Sequence, residues 1–430
     1  LLEESEFPPF GEIRPEHVDR GIKWMAMQSG NQLWELYHKV PMFVRPKWET
    51  LMHPLETITD KVERVFNTIQ FMKDVVDPSP KMLKAWKESV LTRWICLRRM
   101  RRSERFLPHF HRLLGDEEHN EAQRRTVASQ MLLFEYDGVS LHEGIGHRDD
   151  PKAFLHFVSV RKMLFNVTQS WDDNIRSDMT RKAFLVRQAE ELEGVPSSVL
   201  QDAVAAAKLA GYPKATVKDG PWMISLDEAM TEPILKHAKV RTFREFVYAA
   251  KMRVAFLGGS GRDDNTANLI NLLKLRLRYA NLLGYPTYAD LAMRMRMASL
   301  KQAFGFLARL RRVARPVAMA ELQEVQEFAD SQGADYNLDH FDVSYWQERL
   351  KQSKFSLSDD FIREYLPASS VFGGLFGLLK RLFGVDVVEE EGAEVYDKHV
   401  RLYRLRDSES GELLGSMFLD AYRRRGTKKP

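Results

Sequence analysis

The stretch LHEGIGH, residues 141–147, brings two histidines and a glutamate together. Such residues could hold a metal ion and activate water. The helical arrangement that does this, His-Glu-x-x-His, works because positions i and i+4 share one helical face. Both imidazoles then reach one metal while the Glu takes a proton from bound water. Here the histidines are His142 and His147, at i and i+5. At ~100° per residue they would stand roughly 140° apart around a helix. Gly144 and Gly146 disfavour a helix as well. The stretch reads as a loop that binds no metal.

The remaining chemistry-bearing residues are sparser. His109 and His111, at i and i+2 beside Pro108, have a spacing suited to a strand and lack a third ligand. Cys96 lies in an apolar helical run and reads as a buried, inert thiol. No Gly-x-Ser-x-Gly occurs. GGSG at 258–261 has no preceding strand and no following Lys-Ser/Thr, so it is a flexible connection and not a phosphate cradle. Glu390 and Glu391 read as an exposed charge run. RRMRRSER (98–105) and YRRRGTKK (422–429) read as solvated faces. Asn166-Val167-Thr168 is a glycosylation sequon with no meaning in a reducing compartment. Motifs alone give no recognisable active site.

The elements around these residues are overwhelmingly helical. Leu55, Ile58, Val62, Val65, Ile69 and Met72 alternate 3 and 4 apart, which specifies one buried helical face. Pro54 suits the first turn, and DPSP at 77–80 ends the segment. Leu83, Trp86, Val90, Trp94 and Leu97 repeat the pattern. Further helical patterns fill about 16–38, 120–134, 151–170, 175–193, 197–210, 242–257, 265–283, 287–295, 300–330, 343–352 and 369–383. Pro316 predicts a kink or break in 300–330. Only the last fifth looks mixed: HVRLYRLR (399–406) and LLGSMFLDAY (413–422) predict an antiparallel hairpin turned at SESGE. LGGSGRDDN (257–265) is the clearest break.

The bulk numbers bound the class. The 430 residues are 44% hydrophobic and 29% charged, an ordinary globular composition long enough for two or three cores. The 64 basic and 60 acidic residues are too balanced to imply nucleic acid. No apolar run approaches the ~18 residues of a membrane span. A single cysteine excludes an internal disulfide and fits an intracellular, reducing compartment, cytoplasm or organelle lumen, and not secretion. LLEESEFPPF is neither a signal nor a transit peptide, and a presequence removed before Leu1 leaves the compartment open.

The order of segments resembles the zinc oligopeptidase family of thimet oligopeptidase and oligopeptidase A. FPPFGEIRPEHV (7–18) and PKWETLMHPLE (46–56) are similar to its opening. The stretch 263–298 resembles a central family segment through Asn265, Leu282, Leu283, Gly284, Tyr285, Tyr288, Ala289, Met297 and Ala298. FDVSYWQERLKQSKF (341–355) is similar to its Trp-Asp-x-x-Tyr-Tyr segment, with Phe341 for the first residue and Trp346 for the last. REYLPASSVFGGLFGLLKRLFGV (363–385) and GELLGSMFLDAYRRRG (411–426) resemble its closing segments, with Thr427 where the family has Lys.

The resemblance implies a mainly α, two-lobed oligopeptidase architecture with a small antiparallel β hairpin near the C-terminus. Residues 1–240 would be an N-terminal helical lobe and 241–430 an incomplete first part of the catalytic domain. The implied activity is zinc-assisted hydrolysis of short peptides in a deep channel, where a strand pairs with the peptide backbone. Asp420, Arg424 and Gly426 match the family motif near that channel. His-Glu-x-x-His occurs nowhere in these residues. Zinc is therefore expected only in a full-length family member, with no catalytic residue, metal ligand or cofactor in this chain, which is expected to be inactive alone. Partners would be short peptides if full-length, or a protein bound through an exposed apolar face or the basic tail. The alternative is a non-catalytic, peptidase-derived helical subunit of a larger assembly.

Overall fold

The computed structural model describes residues 6–40, 46–101, 106–115, 119–134, 151–256, 263–294, 296–356 and 359–422. The chain is mainly α, with two small antiparallel sheets among the described residues. It divides into two compact units. One combines Leu1–Gly146 with Leu366–Pro430, and the other is His147–Tyr365. No described helix is long and apolar enough to cross a membrane.

The first unit begins with α1 (Pro15–Lys39), α2 (His53–Phe71) and α3 (Pro80–Arg101), which pack on one another. The stripe expected on α2 is the core: Leu55, Ile58, Val62, Val65, Ile69 and Met72 are all buried. Each such side chain contributes roughly 1.5–3 kcal/mol by leaving water. One π-helical turn precedes α2, Trp48–Met52, and another follows it, Met72–Val76, so the helical path is longer than the apolar stripe. Ser79 caps α3 by accepting from the Met82 N–H at 3.3 Å, with Pro80 in the first turn. On α3 the buried positions are Met82 and Ser89, while Leu83, Trp86 and Val90 are half-buried. The face is thus rotated slightly from the expected one. The side chains of Trp94, Cys96 and Leu97 lie outside the described ones.

Helices α4 (Leu107–Leu114) and α5 (Glu121–Phe134) complete this helical part. His109 and His111 sit on α4, not on a strand. His109 is buried among Phe106, Phe110 and Leu113, and its Nδ1 has no hydrogen-bond partner. The unit closes with α15 (Ala368–Phe383) and a three-stranded sheet: β3 (Val385–Glu389), β4 (Arg401–Asp407) and β5 (Leu413–Leu419), in the order β3-β4-β5. The expected hairpin is β4–β5. Its turn is held by the Asp407 carboxylate, which accepts from the Glu409 and Ser410 N–H groups, and by Gly411 at φ +72°. Strand β3 adds a partner that the sequence reading did not include.

In the second unit α6 (Pro151–Arg181) is one continuous helix, so the expected helices over 151–170 and 175–193 are corrected. Residues 184–186 leave the helix as β1 (Phe184–Val186), which pairs with β2 (Trp222–Ile224) in the register Phe184↔Ile224. A short apolar run fits helix or strand equally well, and the partner lies too far along the chain for a local pattern to reveal. The core here gathers Val186, Trp222, Ile224, Ala203, Ala207, Ile234 and Val247 from these strands, α7 (Ser197–Leu209), α8 (Glu228–His237) and α9 (Arg241–Met252). Then come α10 (Thr266–Leu282), α11 (Tyr288–Met293), α12 (Leu300–Ser331), α13 (His340–Phe355) and α14 (Asp359–Tyr365). Helix α12 runs continuously through Pro316, so of the expected kink or break the helix shows no break. A proline removes one intrahelical bond, and the many bonds of a long helix capped by Ser299 and Gln302 carry it across.

The strongest tie in this unit is ionic. Asp342, wholly buried on α13, accepts from Arg244 at 2.8 Å and from Arg241 at 2.8 Å, both on α9. Arg244 is itself 1% exposed and also donates to the Ala238 and Lys239 carbonyls. Its guanidinium lies 4.0 Å from the Tyr345 ring centre. Removing one partner of such a pair strands a buried charge.

Two outcomes follow from these cores. Asp342→Ala should destabilise the second unit by ~3–5 kcal/mol, read as a lower urea midpoint; a loss below ~1 kcal/mol would show that the pair is solvated. In the first unit, burial and then the neighbouring Arg112 hold the His109 imidazole below its ordinary 6.5. The unfolded chain therefore binds a proton first as pH falls, so the stabilising effect is full above 6.5 and is lost below it. His109→Leu should reduce the drop in melting temperature between pH 7.5 and pH 5.5; an equal drop in both proteins would refute the assignment.

Candidate functional site

Of the candidate channel residues, Asp420 is described, and Arg424 and Gly426 lie outside the described residues. Asp420 directly follows β5, which pairs with β4 in the register Leu402↔Phe418 and Tyr403↔Met417. Side chains alternate along a strand, so Leu402, Arg404 and Phe418 share one face of the sheet and Tyr403 takes the other. Tyr403 packs on Phe376 of α15 at 5.1 Å between ring centres. The Phe418 face receives the N-terminal segment. Phe7 lies 5.1 Å and Phe10 6.0 Å from Phe418, and Phe10 and Phe71 each meet Tyr396, at 5.4 and 5.2 Å. Offset and edge-on ring pairs of this kind stabilise beyond their buried area. The ring cluster fixes Tyr396, whose hydroxyl donates to Asp420 Oδ2 at 3.2 Å. Asp420 is therefore a strand-end carboxylate aimed by a phenol.

Arg404 organises the charge on the same face. It donates to Glu390, to Glu6 and, at 2.9 Å, to Ser416 Oγ. These hydrogen bonds hold its guanidinium well above its ordinary value and hold the Glu390 carboxyl below the usual range. Glu390 is thus an ion-paired residue, which corrects its reading as part of an exposed charge run. Arg404, Glu390 and Glu6, with Val388, Glu389, Arg406 and Leu413, line a shallow cavity of about 390 Å³. Glu389 pairs with Arg401 at 3.1 Å. Glu390, held low by the adjoining Arg404, accepts hydrogen bonds and is not the raised carboxyl that a general acid needs. The Arg404 cluster and the aromatic cluster were missed from the sequence. The one available signal was the alternation that places Arg404 on the face of Leu402.

Zinc needs three protein ligands in a catalytic site. Among the described residues no group of three or more His, Cys, Asp or Glu side chains could hold a metal ion. His142 and His147 lie outside the described residues. His109 and His111, two apart on a helix, point roughly 160° apart, one buried and one exposed. The described side chains do not fit the metal, and no chemical step is assigned through it.

In the second unit several residues of the resemblance segments make scaffold contacts. Asp342 bridges two helices as described above. Asn265 is fully buried and donates to the Trp171 carbonyl at 3.1 Å. Gly284, at φ +79°, ends α10 in a conformation that favours glycine. Tyr288 lies 5.1 Å beneath Arg276.

Comparison with known proteins assigns this architecture. The model for peptidase family M3 matches residues 234–430, and that for the neurolysin/thimet oligopeptidase N-terminal domain matches residues 24–145. An organellar oligopeptidase A, chloroplastic/mitochondrial, of Arabidopsis thaliana is 32% identical over all of this chain and 53% of its own length. A probable cytosolic oligopeptidase A of the same plant is 33% identical over all of the chain and 60% of its own length. Oligopeptidase A of Escherichia coli K12 is 28% identical over 99% of the chain and 60% of its own length. The chain spans between half and three-fifths of the length of these curated relatives. It aligns along its whole length with oligopeptidases and carries both matched regions in order: the chain belongs to peptidase family M3.

Proposed function

We propose that these residues are the N-terminal lobe, 1–240, and the first part of the catalytic domain, 241–430, of a zinc oligopeptidase that hydrolyses short peptides. The observation that carries the reading is the collinear match of the whole chain to just over half of each oligopeptidase. In this reading the zinc ligands and the catalytic Glu belong to residues outside these 430, since His-Glu-x-x-His does not occur within them. The chain alone does not turn over peptide.

The sheet suits a role beside the substrate. Strand β5 pairs with β4 on one side only among the described residues. A free strand edge offers backbone N–H and C=O groups to an extended peptide. Asp420, with Arg424 and Gly426 beyond it, would line the channel at the end of that strand. The names of the relatives favour an organelle or the cytosol as the compartment.

Bare helical faces support a missing counterpart. On α15 Val371, Leu375, Leu378 and Leu382 recur 4, 3 and 4 apart, and none of the helix is buried. On α12 Phe306, Leu310, Val313 and Val317 form a second exposed stripe. Stripes of this period are built to be covered. A second reading, a non-catalytic helical subunit that docks a protein partner, draws on α12, whose opposite side carries Arg311, Arg312 and Arg315.

The test begins with the protein isolated from its source. Its intact mass should exceed 49.9 kDa by about two-thirds or more, and it should cleave a quenched fluorescent peptide in a chelator-sensitive way. The 430-residue chain should show no turnover even with added zinc. A native mass of 49.9 kDa without hydrolysis would favour the docking subunit. Chelator-sensitive turnover by the 430-residue chain would overturn the assignment of zinc to residues outside it.

A further inference from the structure

Helices α9 and α10 are joined through residues 253–265, and both ends of that connection are tied to α6. On the leading side, the Ala255 N–H donates to Asp178 Oδ2 at 2.6 Å, and Lys182 Nζ donates to the Arg253 carbonyl at 2.6 Å. Phe256 meets the Trp171 ring edge-on at 5.5 Å. On the trailing side, Arg181 pairs with Asp263 at 2.9 Å, and Ser177 Oγ donates to the same carboxylate at 3.2 Å. Asn174 donates to Asn265 Oδ1 at 2.9 Å, and Asn265 Nδ2 returns a bond to the Trp171 carbonyl at 3.1 Å. The two sides also meet directly, because the Asn265 N–H donates to the Ala255 carbonyl at 2.8 Å. Trp171, Asn174, Ser177, Asp178 and Arg181 recur at helical spacing, so one face of α6, continued by Lys182 just past its end, makes every tie.

Two features separate this arrangement from ordinary loop packing. Ala255 is a buried non-glycine residue at φ +55°. An L-residue reaches that region only when its surroundings hold it there. The group that holds it is a carboxylate that is itself 1% exposed. Burial alone would raise the Asp178 carboxyl. The hydrogen bonds from Lys182, from the Ala255 N–H and from Arg181 outweigh it and keep the group below its usual range. The backbone strain and the buried charge are therefore resolved by the same contact.

We propose that the last turns of α6, from Trp171 to Arg181, with Lys182 just after them, are a clasp that closes the ends of the α9–α10 connection, with Asp178 as the latch that holds Ala255 in its left-handed conformation. The clasp fixes where α10 begins, independently of the apolar core around Trp222. It rests on no assumption about peptidase activity.

Hydrogen exchange of the 430-residue chain, followed by mass spectrometry, tests this. Asp178→Asn keeps the shape and removes the charge. Amides of 254–256 and 265–268 should then exchange at least about tenfold faster, while those of 199–207 and 243–252 stay within about twofold. Glycine adopts φ +55° without strain, so adding Ala255→Gly to Asp178→Asn should slow the same amides again. Unchanged exchange at 254–256, or acceleration spread evenly over the unit, would overturn the latch. If Asp178→Asn does not fold, Ala255→Gly alone decides. Slower exchange at 254–256 and 265–268 than in the parent supports a strained, latched backbone, and equal or faster exchange refutes it.

Discussion

A carboxylate taken out of water must find cations and donors, or it takes up a proton. In the second unit two buried carboxylates meet that requirement by reaching across the sequence. Asp342 draws Arg241 and Arg244 of α9 onto α13. Asp178 draws the backbone at Ala255 onto α6. The helices between them have weak claims to a fixed position: α10 buries only Tyr279 and Ala280, and α12 only Val325 and Ala329. Apolar packing alone would let such helices slide. Directional, charge-assisted bonds at their ends specify one arrangement.

The first unit solves a different problem, because its two chain segments lie at opposite ends of the sequence. Glu6 meets Arg404, and Phe7 and Phe10 meet Phe418. Closing so long a loop costs entropy before any contact compensates for it. The compensation is concentrated in large rings and a forked guanidinium, which give the most energy per ordered residue. The same cluster orients Tyr396 and hence Asp420, so the strand end depends on contacts made by the first described residues.

The sequence was legible where one element satisfies its own pattern. The α2 stripe, the β4–β5 hairpin and its Asp407-held turn need only local spacing, and each appears at or near its expected place. It was illegible where the deciding partner is remote. Val186 looks like the continuation of a helix until Trp222 pairs with it. Glu390 looks like solvated charge until Arg404 lies against it. Pro316 predicts a kink or break, and the neighbouring bonds of a long helix carry α12 through it without a break. Asp342 and Asn265, within the resemblance segments, serve the scaffold, although their residue types would suit a catalytic site equally well. Composition cannot separate those roles, since a buried structural carboxylate and a catalytic one use the same residue type and differ only in what faces them.

The bare faces connect structure to function. A helix such as α15 packs through Phe376 on Tyr403, yet buries no residue fully and leaves Val371, Leu375, Leu378 and Leu382 exposed along one side. Its pattern makes sense as half of an interface. The strand edge of β5 has the same character: its alternation is satisfied by β4 and the Phe418 face, but its outer backbone groups are offered outward. In the proposed oligopeptidase the helical stripe would pack against further helices and the strand edge would hold an extended peptide. The proposed role rests on these features together: the family match along the chain, exposed helical stripes, a strand edge unpaired among the described residues and an aimed carboxylate.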